Sequence, residues 1–231
     1  NEMLNRINAL MDNLSQVSTD VAHDLRTPLT RLSNRLDRAS AATNPEDLQE
    51  QLGAAKAEAE GLLELFAALL RIAEIEGMAA RLPKRPLDLS ALVEQLADTY
   101  RPDMEEEQRQ FMVSIEPGMT ILGDRRLLSQ LIANLLDNAL RHTPRGTTVE
   151  LDLSRAEYLA ILTVSDHGSG VEPEDARRIF QRFVRGEKSR SKPGHGLGLA
   201  IVEGVAAAHS GSAKIGSTHP FEIRVSLPLL E

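Results

Sequence analysis

The chain has 231 residues, enough for one large domain or two small ones, and 42% of them are apolar, which suffices for a packed core. Its formal net charge of −8 disfavours nucleic-acid binding over a broad face, and the absence of cysteine excludes disulfides, thiolate metal sites and cysteine nucleophiles. No apolar run approaches the roughly 18 residues of a membrane span. Because the sequence begins at Asn1 rather than Met, we interpret it as a fragment or a processed product whose membrane segments, if any, lie upstream.

Two long helices are predicted at the start of the chain. Apolar residues recur at steps of three and four over residues 1–40, which predicts one helix with a single apolar stripe. Asn44 and Pro45 can begin a second helix, and Gly77 can end it. The pair forms an antiparallel hairpin whose stripe needs a cover. Two hairpins would form a four-helix bundle, which predicts a homodimer; packing on the C-terminal part of the chain is the alternative.

The rest of the chain alternates between helical and strand patterns. Residues 78–86 contain two prolines and are predicted to be a linker. Residues 87–231 predict an α/β sandwich, in which helices cover one face of a mixed sheet. The predicted helices are 89–101, 125–140 (capped by Asp124), 173–181 and 198–209, and the predicted strands are 110–115, 120–122, 148–153, 159–165, 213–216 and 221–227.

The first motif with chemical potential surrounds His23 in the first helix. A neutral imidazole is a nucleophile near pH 7 that can form a phosphoramidate, and the neighbouring Asp24 can accept its proton. The position of His23 off the main apolar seam predicts a solvent-facing ring. Pro28 deprives the Asp24 carbonyl of its helical partner, which predicts a loosened turn after the histidine. An exposed histidine beside an incidental proline is the alternative.

A second motif lies on the predicted helix that follows Asp124. Asn134, Asn138 and Arg141 stand at i, i+4 and i+7, so they share one helix face. Amide oxygens one turn apart can bind Mg²⁺ that arrives with nucleotide phosphates and retains some waters. Arg141 adds a positive charge for phosphate. A solvated polar stripe is the alternative.

Two glycine-containing motifs follow. Asp166 directly follows an apolar strand, where its carboxylate can accept a hydrogen bond from the adenine amino group, and Gly168 and Gly170 allow close approach of the backbone. Gly194 and the alternating glycines after it open a helix whose free N–H groups can bind phosphate. Between these motifs lies a cationic loop with a local excess of four positive charges, which suits a triphosphate. Its charged residues are Arg182, Arg185, Glu187, Lys188, Arg190 and Lys192. An ordinary turn and a solvated loop are the alternatives.

These four motifs, in this order, resemble those of the histidine kinases of bacterial two-component systems. They are similar to the H box (His23 to Leu29), the N box (Asn134 to His142), the G1 box (Asp166 to Gly170) and the G2 box (Gly194 to Gly198), and residues 179–183 are similar to the F box. The resemblance covers nearly the whole chain.

The resemblance implies a role for each matching residue. His23 would be the phospho-acceptor, Asp24 would assist as a base, and Thr27 would position water for dephosphorylation of a partner regulator. Asn134 and Asn138 would hold Mg²⁺. The implied ATP site, in which Asp166 reads adenine, consists of Asn134, Asn138, Arg141, His142, Asp166, Gly168, Gly170, Arg182, Arg185, Lys188, Gly194, Gly196, Leu197 and Gly198.

The resemblance also implies an architecture. A dimeric four-helix bundle formed by the hairpin (1–77) would precede an ATP-binding α/β sandwich of the gyrase/Hsp90-like type (87–231). The chain would be the cytoplasmic portion of an inner-membrane sensor kinase that autophosphorylates with ATP and passes the phosphoryl group to the receiver domain of a response regulator.

Three residues depart from the common family pattern. Val17 stands where many members have phenylalanine. His142 replaces a common aromatic residue, and His167 replaces a frequent asparagine. His209 and His219 are interpreted as structural rather than catalytic. A nucleotide-binding scaffold without kinase activity, and a related ATPase or serine kinase that shares only the C-terminal domain, are the alternatives.

Overall fold

The computed structural model divides into two compact units, Asn1–Ala67 and Ala68–Glu231, each of which is described by itself. Among the residues described, none of the helices combines the length and the apolar character needed to cross a membrane. The described residues are 29–78, 84–182, 184 and 196–230.

The first unit contains a helical hairpin. Helix α1 is described over residues 29–41, and α2 spans Pro45–Met78. The predicted cap is confirmed, because the Asn44 side chain accepts a hydrogen bond from the Asp47 N–H at 2.7 Å. Arg35 donates from Nη1 to Gln51 Oε1 at 3.4 Å, which links the two helices.

The interior of this hairpin is small. Ala39 and Ala55 are buried, and small residues of this kind allow helices to approach closely. The large apolar side chains remain between 40 and 71% exposed; they are Leu29, Leu36, Leu48, Leu52, Leu63 and Phe66. Exposure of so many large apolar groups is unusual unless they lie at an interaction surface. Within the described part of the hairpin, these six side chains are therefore not covered by packing between its two helices.

The second unit is built on a mixed sheet. Its strands are β1 Arg85–Asp88, β2 Gln110–Ile115, β3 Thr120–Gly123, β4 Thr148–Ala156, β5 Leu159–Asp166, β6 Ser212–Thr218 and β7 Phe221–Pro228. Five of them form the sheet in the order β2-β4-β5-β7-β6. The β2 and β4 strands run parallel, and the remaining neighbours are antiparallel. A separate antiparallel pair consists of β1 and β3.

Helices cover one face of the five-stranded sheet, as the sequence predicts. The helices are α3 Leu89–Glu106, α4 Arg125–His142, α5 Pro173–Ala176 and α6 Gly198–Ala208. The α4 helix contacts both α3 and α6, and all three contact the sheet. Leu151, Val164 and Ile223 pair in register across three strands and are all buried, so they mark the face that the helices cover.

Three element boundaries differ from the sequence-based predictions. The β1 strand begins at Arg85, inside the predicted linker, because its residues pair with β3. The α3 helix continues beyond 101 and accommodates Pro102, since Met104 is fully buried in the core. The predicted helix 173–181 is helical only through Ala176. Beyond it, the N–H groups of Arg178 and Gln181 bond to carbonyls three residues earlier, which is a tighter turn than an α-helix.

His209 has the structural role that the sequence suggests. The buried ring accepts a hydrogen bond at Nε2 from the Asp124 N–H (3.0 Å), and Nδ1 lies 2.8 Å from the Val205 carbonyl, to which it donates. Asp124 is the N-cap of α4, and its carboxylate accepts from the Leu127 N–H at 3.0 Å. His209 therefore fixes the residue at which α4 begins.

We expect the stability of the chain to fall on acidification, in part through His209. Burial lowers the pKa of the His209 ring. Below the ordinary histidine pKa of about 6.5, the unfolded state therefore binds the proton more tightly, and the free energy of unfolding decreases. Replacement of His209 by asparagine should flatten this pH dependence and lower stability at pH 7 by about 1–3 kcal/mol through the unpaired Asp124 N–H.

Urea unfolding of the whole chain at several pH values between about 5 and 7.5 measures this effect. An equally steep loss of stability in the His209→Asn variant would show that another group causes it.

Candidate active site

The α4 helix organises the site. One face packs into the core through Leu127, Leu128, Leu131, Ile132, Leu135, Leu136 and Ala139. Asn134 and Asn138 are half-buried, and Arg141 is exposed. Because Asn134, Asn138 and Arg141 follow helical spacing, they form a row along the helix at the border between core and solvent. This row is the surface that a ligand can reach.

One end of the site lies where Asn134 meets the start of α6. A Cβ added to Gly198, the first residue of α6, would lie 3.6 Å from Asn134 Oδ1. Gly196, two residues before α6, has a positive φ of 66°. Leu197 is buried and accepts the first helical hydrogen bond from Ile201. The G2 glycines and the N box are thus neighbours in space.

Two side-chain amides on this stretch of α4 have buried nitrogens without a partner. In the described part of the chain, Asn134 Nδ2 and Gln130 Nε2 make no hydrogen bond. An unpaired buried donor costs about 1–3 kcal/mol, so both groups are suited to a ligand oxygen such as that of a phosphate. Gln130 was not predicted as a site residue, although it lies one turn before Asn134 on the same helix and could have been identified from that spacing.

The other end of the site is formed by Asp166 at the end of β5. In register, Asp166 lies between Val149 and Phe221, so its side chain shares the helix-covered face of the sheet. The carboxyl is buried, and Oδ1 accepts a hydrogen bond from the Gly168 N–H at 3.0 Å. Burial raises the pKa of the Asp166 carboxyl, and the bond from the Gly168 N–H opposes that rise. Asp166 is therefore a buried acceptor held by its own loop.

Glycine is required at two positions of this loop. A Cβ added to Gly168 would lie 2.8 Å from Asp166 Oδ1 and 3.1 Å from Pro144 Cδ. Gly170 has a φ of +69°, and an added Cβ would lie 2.5 Å from the Thr218 carbonyl oxygen. The contact with Pro144 brings the G1 loop against the chain that leaves α4.

The α4 helix thus joins the two ends of the site. Asn134 lies beside Gly198 at one end, and the segment that follows His142 lies beside Gly168 at the other. A helix rises 1.5 Å per residue, so the nine residues from Asn134 to Thr143 cover roughly 14 Å. This is the length scale on which an extended nucleoside triphosphate separates its base from its terminal phosphate.

His142 and His167, the two residues of this unit that depart from the family pattern, have different surroundings. His142, the last residue of α4, is half-buried at the Asp166 end of the row. His167 is exposed, and its Nε2 lies 3.0 Å from Glu150 Oε1 on β4. The His167 side chain is therefore engaged with the sheet surface.

The predicted site residues fall into two groups. The structure describes Asn134, Asn138, Arg141, His142, Asp166, Gly168, Gly170, Arg182, Gly196, Leu197 and Gly198. His23, Asp24, Thr27, Arg185, Lys188 and Gly194 lie outside the described residues. Within the described ranges, no cluster of three or more His, Asp or Glu side chains could hold a metal ion. The Asn134 and Asn138 amide oxygens, together with phosphate and water, form a donor set of the hard oxygen type that Mg²⁺ prefers.

Comparison with known proteins agrees with this geometry. Residues 123–231 match the family described as histidine kinase-, DNA gyrase B- and HSP90-like ATPase, so the second unit has the fold of that class. Residues 13–77 match the His Kinase A (phospho-acceptor) domain. The chain belongs to the sensor histidine kinases.

Individual relatives support the assignment. The sensor protein IrlS of Burkholderia pseudomallei is 33% identical over 94% of this chain and 47% of its own length. The histidine-protein kinase/phosphatase MprB of Mycobacterium avium is 32% identical over 95% of this chain and 43% of its own length. A solved mycobacterial MprB structure aligns with a TM-score of 0.57 and 30% identity, over 63% of this chain and 98% of that one.

Full-length ShkA in complex with AMPPNP aligns with a TM-score of 0.65 and 28% identity, over 93% of this chain and 46% of that one. The chain spans about half the length of the curated relatives it matches.

Proposed function

We propose that the chain uses ATP to phosphorylate His23 and then transfers the phosphoryl group to an aspartate of a response regulator. The observation that carries the proposal is the arrangement along α4. One helix connects the unpartnered Asn134 amide beside Gly198 with the buried Asp166 carboxylate beside Gly168. Base and phosphate recognition groups thereby stand at the two ends of one continuous surface.

ATP would lie along α4 with its base at Asp166. The Asp166 carboxylate would accept a hydrogen bond from the adenine amino group, close to Gly168 and Gly170, and His142 would flank the base. The phosphates would extend towards Asn134, Gly196 and the start of α6, where backbone N–H groups can bind anions. Arg141, Arg182, Arg185 and Lys188 would supply positive charge, and Gly194, Leu197 and Gly198 would complete the phosphate end.

Mg²⁺ held by Asn134 and Asn138 would neutralise phosphate charge when bound. The reaction itself depends on His23 and Asp24. A ring nitrogen of His23 attacks the γ-phosphorus in line, the bond to the β-γ bridging oxygen breaks, and ADP leaves. The ring proton passes to Asp24. Thr27 would position water for dephosphorylation of the regulator, and the relative MprB is named as a kinase/phosphatase.

The proposed organisation assigns residues 1–77 to dimerisation and phosphotransfer and residues 87–231 to ATP binding. Of the predicted linker, 78–86, the last two residues belong to strand β1, which extends the ATP-binding part to Arg85. Such a chain would be the cytoplasmic part of a sensor kinase in the inner membrane. The exposed apolar side chains of the hairpin support a homodimer, because a second hairpin would bury them in a four-helix bundle. The face of the bundle near His23 would receive the receiver domain of the regulator.

Replacement of Leu52 by lysine is expected to dissociate this dimer. Leu52 is about half exposed in the single chain, and each dimer contains two copies of the substituted position. The dissociation constant should therefore rise by at least about 100-fold, through lost apolar burial and two buried charges. Sedimentation equilibrium measures the dimer directly.

A matched control is Glu50→Gln, which changes the net charge by the same amount at an exposed position roughly 160° around α2 from Leu52. It should leave the dissociation constant unchanged. A Leu52→Lys chain that remains as dimeric as the control would contradict the proposed bundle.

Incubation of the chain with γ-labelled ATP and Mg²⁺ tests the proposed reaction. A phosphohistidine label is lost in acid and retained in base, whereas a phosphoserine label is stable in acid. Binding of ADP without any label would instead support a nucleotide-binding scaffold.

A further inference from the structure

The buried Arg109 lies in the turn between α3 and β2, outside every motif of the sequence. The Arg109 side chain is only 5% exposed. Its Nε and Nη2 atoms both donate to the Thr143 carbonyl oxygen, at 3.1 and 2.6 Å. Thr143 is the C-cap of α4. Burying a guanidinium costs free energy. Here the buried group holds the Thr143 carbonyl in place.

The fixed carbonyl leads directly to the Asp166 end of the site. Thr143 is itself buried, and its Cα lies 3.7 Å from the position of a Cβ added to Gly168. Pro144 Cδ lies 3.1 Å from the same position. The segment after α4 therefore borders Gly168, and the Gly168 N–H donates to Asp166 Oδ1, so a shift of this segment would act on the Asp166 carboxylate through Gly168 alone.

We infer that Arg109 is a positioning residue for the base end of the nucleotide site. It clamps the C-terminal end of α4 so that Thr143 and Pro144 form a rigid wall behind the Asp166–Gly170 loop. The inference rests on the proposed function, because it concerns the same pocket. Arg109 lies in the turn between α3 and β2, so it would act on base binding from outside the motifs of the site.

The fold around Arg109 has other ties that should survive its loss. The Gly146 N–H donates to the Gln108 carbonyl and the Gln110 N–H to the Thr147 carbonyl, both at 3.0 Å. On the surface, Arg145 bonds to both carboxylate oxygens of Glu107, at 3.0 and 3.3 Å. The two loops thus remain connected without the Arg109 guanidinium, and the exposed Glu107–Arg145 pair provides a control in the same region.

The test is ADP binding to the whole chain in the presence of Mg²⁺, with Arg109→Leu. The dissociation constant for ADP should rise about tenfold, because the base end loses its support. In autophosphorylation, the KM for ATP should rise by a similar factor while the rate at saturating ATP stays within about twofold, since binding is weakened equally before and during the reaction. The amide resonance of Gly168 in the nucleotide-free chain should shift.

Arg109→Lys keeps the charge but offers a single head group in place of the fork, so an intermediate rise of about threefold is expected. This graded variant decides the question if Arg109→Leu does not fold. Arg145→Gln breaks the exposed pair with Glu107, whose Oε2 also lies 4.0 Å from Arg109 Nη1. It keeps the Arg109–Thr143 bonds and should bind ADP as the unmodified chain does. Unchanged ADP affinity and an unshifted Gly168 resonance in Arg109→Lys would overturn the inference, even if its thermal midpoint fell. Failure of the unmodified chain to bind ADP would instead refute the proposed function.

Discussion

Replacement of His23 by glutamine is expected to abolish incorporation of label from γ-labelled ATP while ADP still binds. Glutamine preserves polarity and approximate length, but its amide nitrogen is not a nucleophile and cannot form the phosphoramidate. The nucleotide site lies on other elements, so the dissociation constant for ADP should match that of the unmodified chain. Label is measured after acid and base treatment, and ADP affinity by calorimetric titration.

A control in the same hairpin is Glu50→Gln, an exposed polar substitution that should leave labelling intact. If His23→Gln retained an acid-labile, base-stable label at the unmodified level, the acceptor would be another histidine, and the proposed role of the hairpin would be wrong.

The His23→Gln variant also shows whether phosphorylation occurs within one protomer or between the two protomers of the dimer. Asn138→Ala should weaken the Mg²⁺–ATP site and so reduce labelling, yet it retains His23. When His23→Gln and Asn138→Ala chains are mixed, a heterodimer contains one intact nucleotide site and one intact acceptor on different protomers. Strong label on the Asn138→Ala chain would show transfer between protomers, and persistent loss of label would show transfer within one.

Elements with strong local signals were predictable from the sequence. The α4 helix has a polar cap at Asp124, an apolar stripe and a defined end, and all three signals act over a few residues. The hairpin of β4 and β5 and the turn at Asn44 are local in the same sense. The order of the motifs along the chain then placed the candidate site on α4 and the end of β5, because the fold brings those segments together.

Features that depend on distant partners were not predictable. The β1 strand is too short to give a recognisable sequence pattern, and it forms because β3 pairs with it. The parallel pairing of β2 with β4 joins segments nearly forty residues apart. Pro102 is a local signal for the end of a helix, but burial of Met104 outweighs it. Arg109 reads as one more surface charge in an acidic, polar stretch, and only the packed structure reveals its bonds to Thr143.

Asp166→Asn is expected to weaken ADP binding by about 10- to 100-fold, the usual effect of losing a hydrogen bond to a charged group. The asparagine oxygen can still accept from the Gly168 N–H, so the loop should keep its conformation. The variant amide can also donate to the oxygen that guanine carries where adenine has its amino group. The preference for adenine over guanine nucleotides should therefore narrow, a result that simple damage to the pocket would not produce.

The same substitution should not destabilise the nucleotide-free chain at neutral pH. Because burial raises the pKa of Asp166 in the folded state, the ionised carboxylate opposes folding above that pKa, and the opposition disappears as acidification protonates it. Asparagine removes the buried charge, so the variant should be as stable as the unmodified chain or more so near pH 7, and its advantage should shrink towards acidic pH. Asp152→Asn, on the opposite face of the sheet, is the control for both measurements. Undiminished ADP affinity in Asp166→Asn would show that this carboxylate does not read the base; a large loss of stability near pH 7 would show that it serves the fold instead.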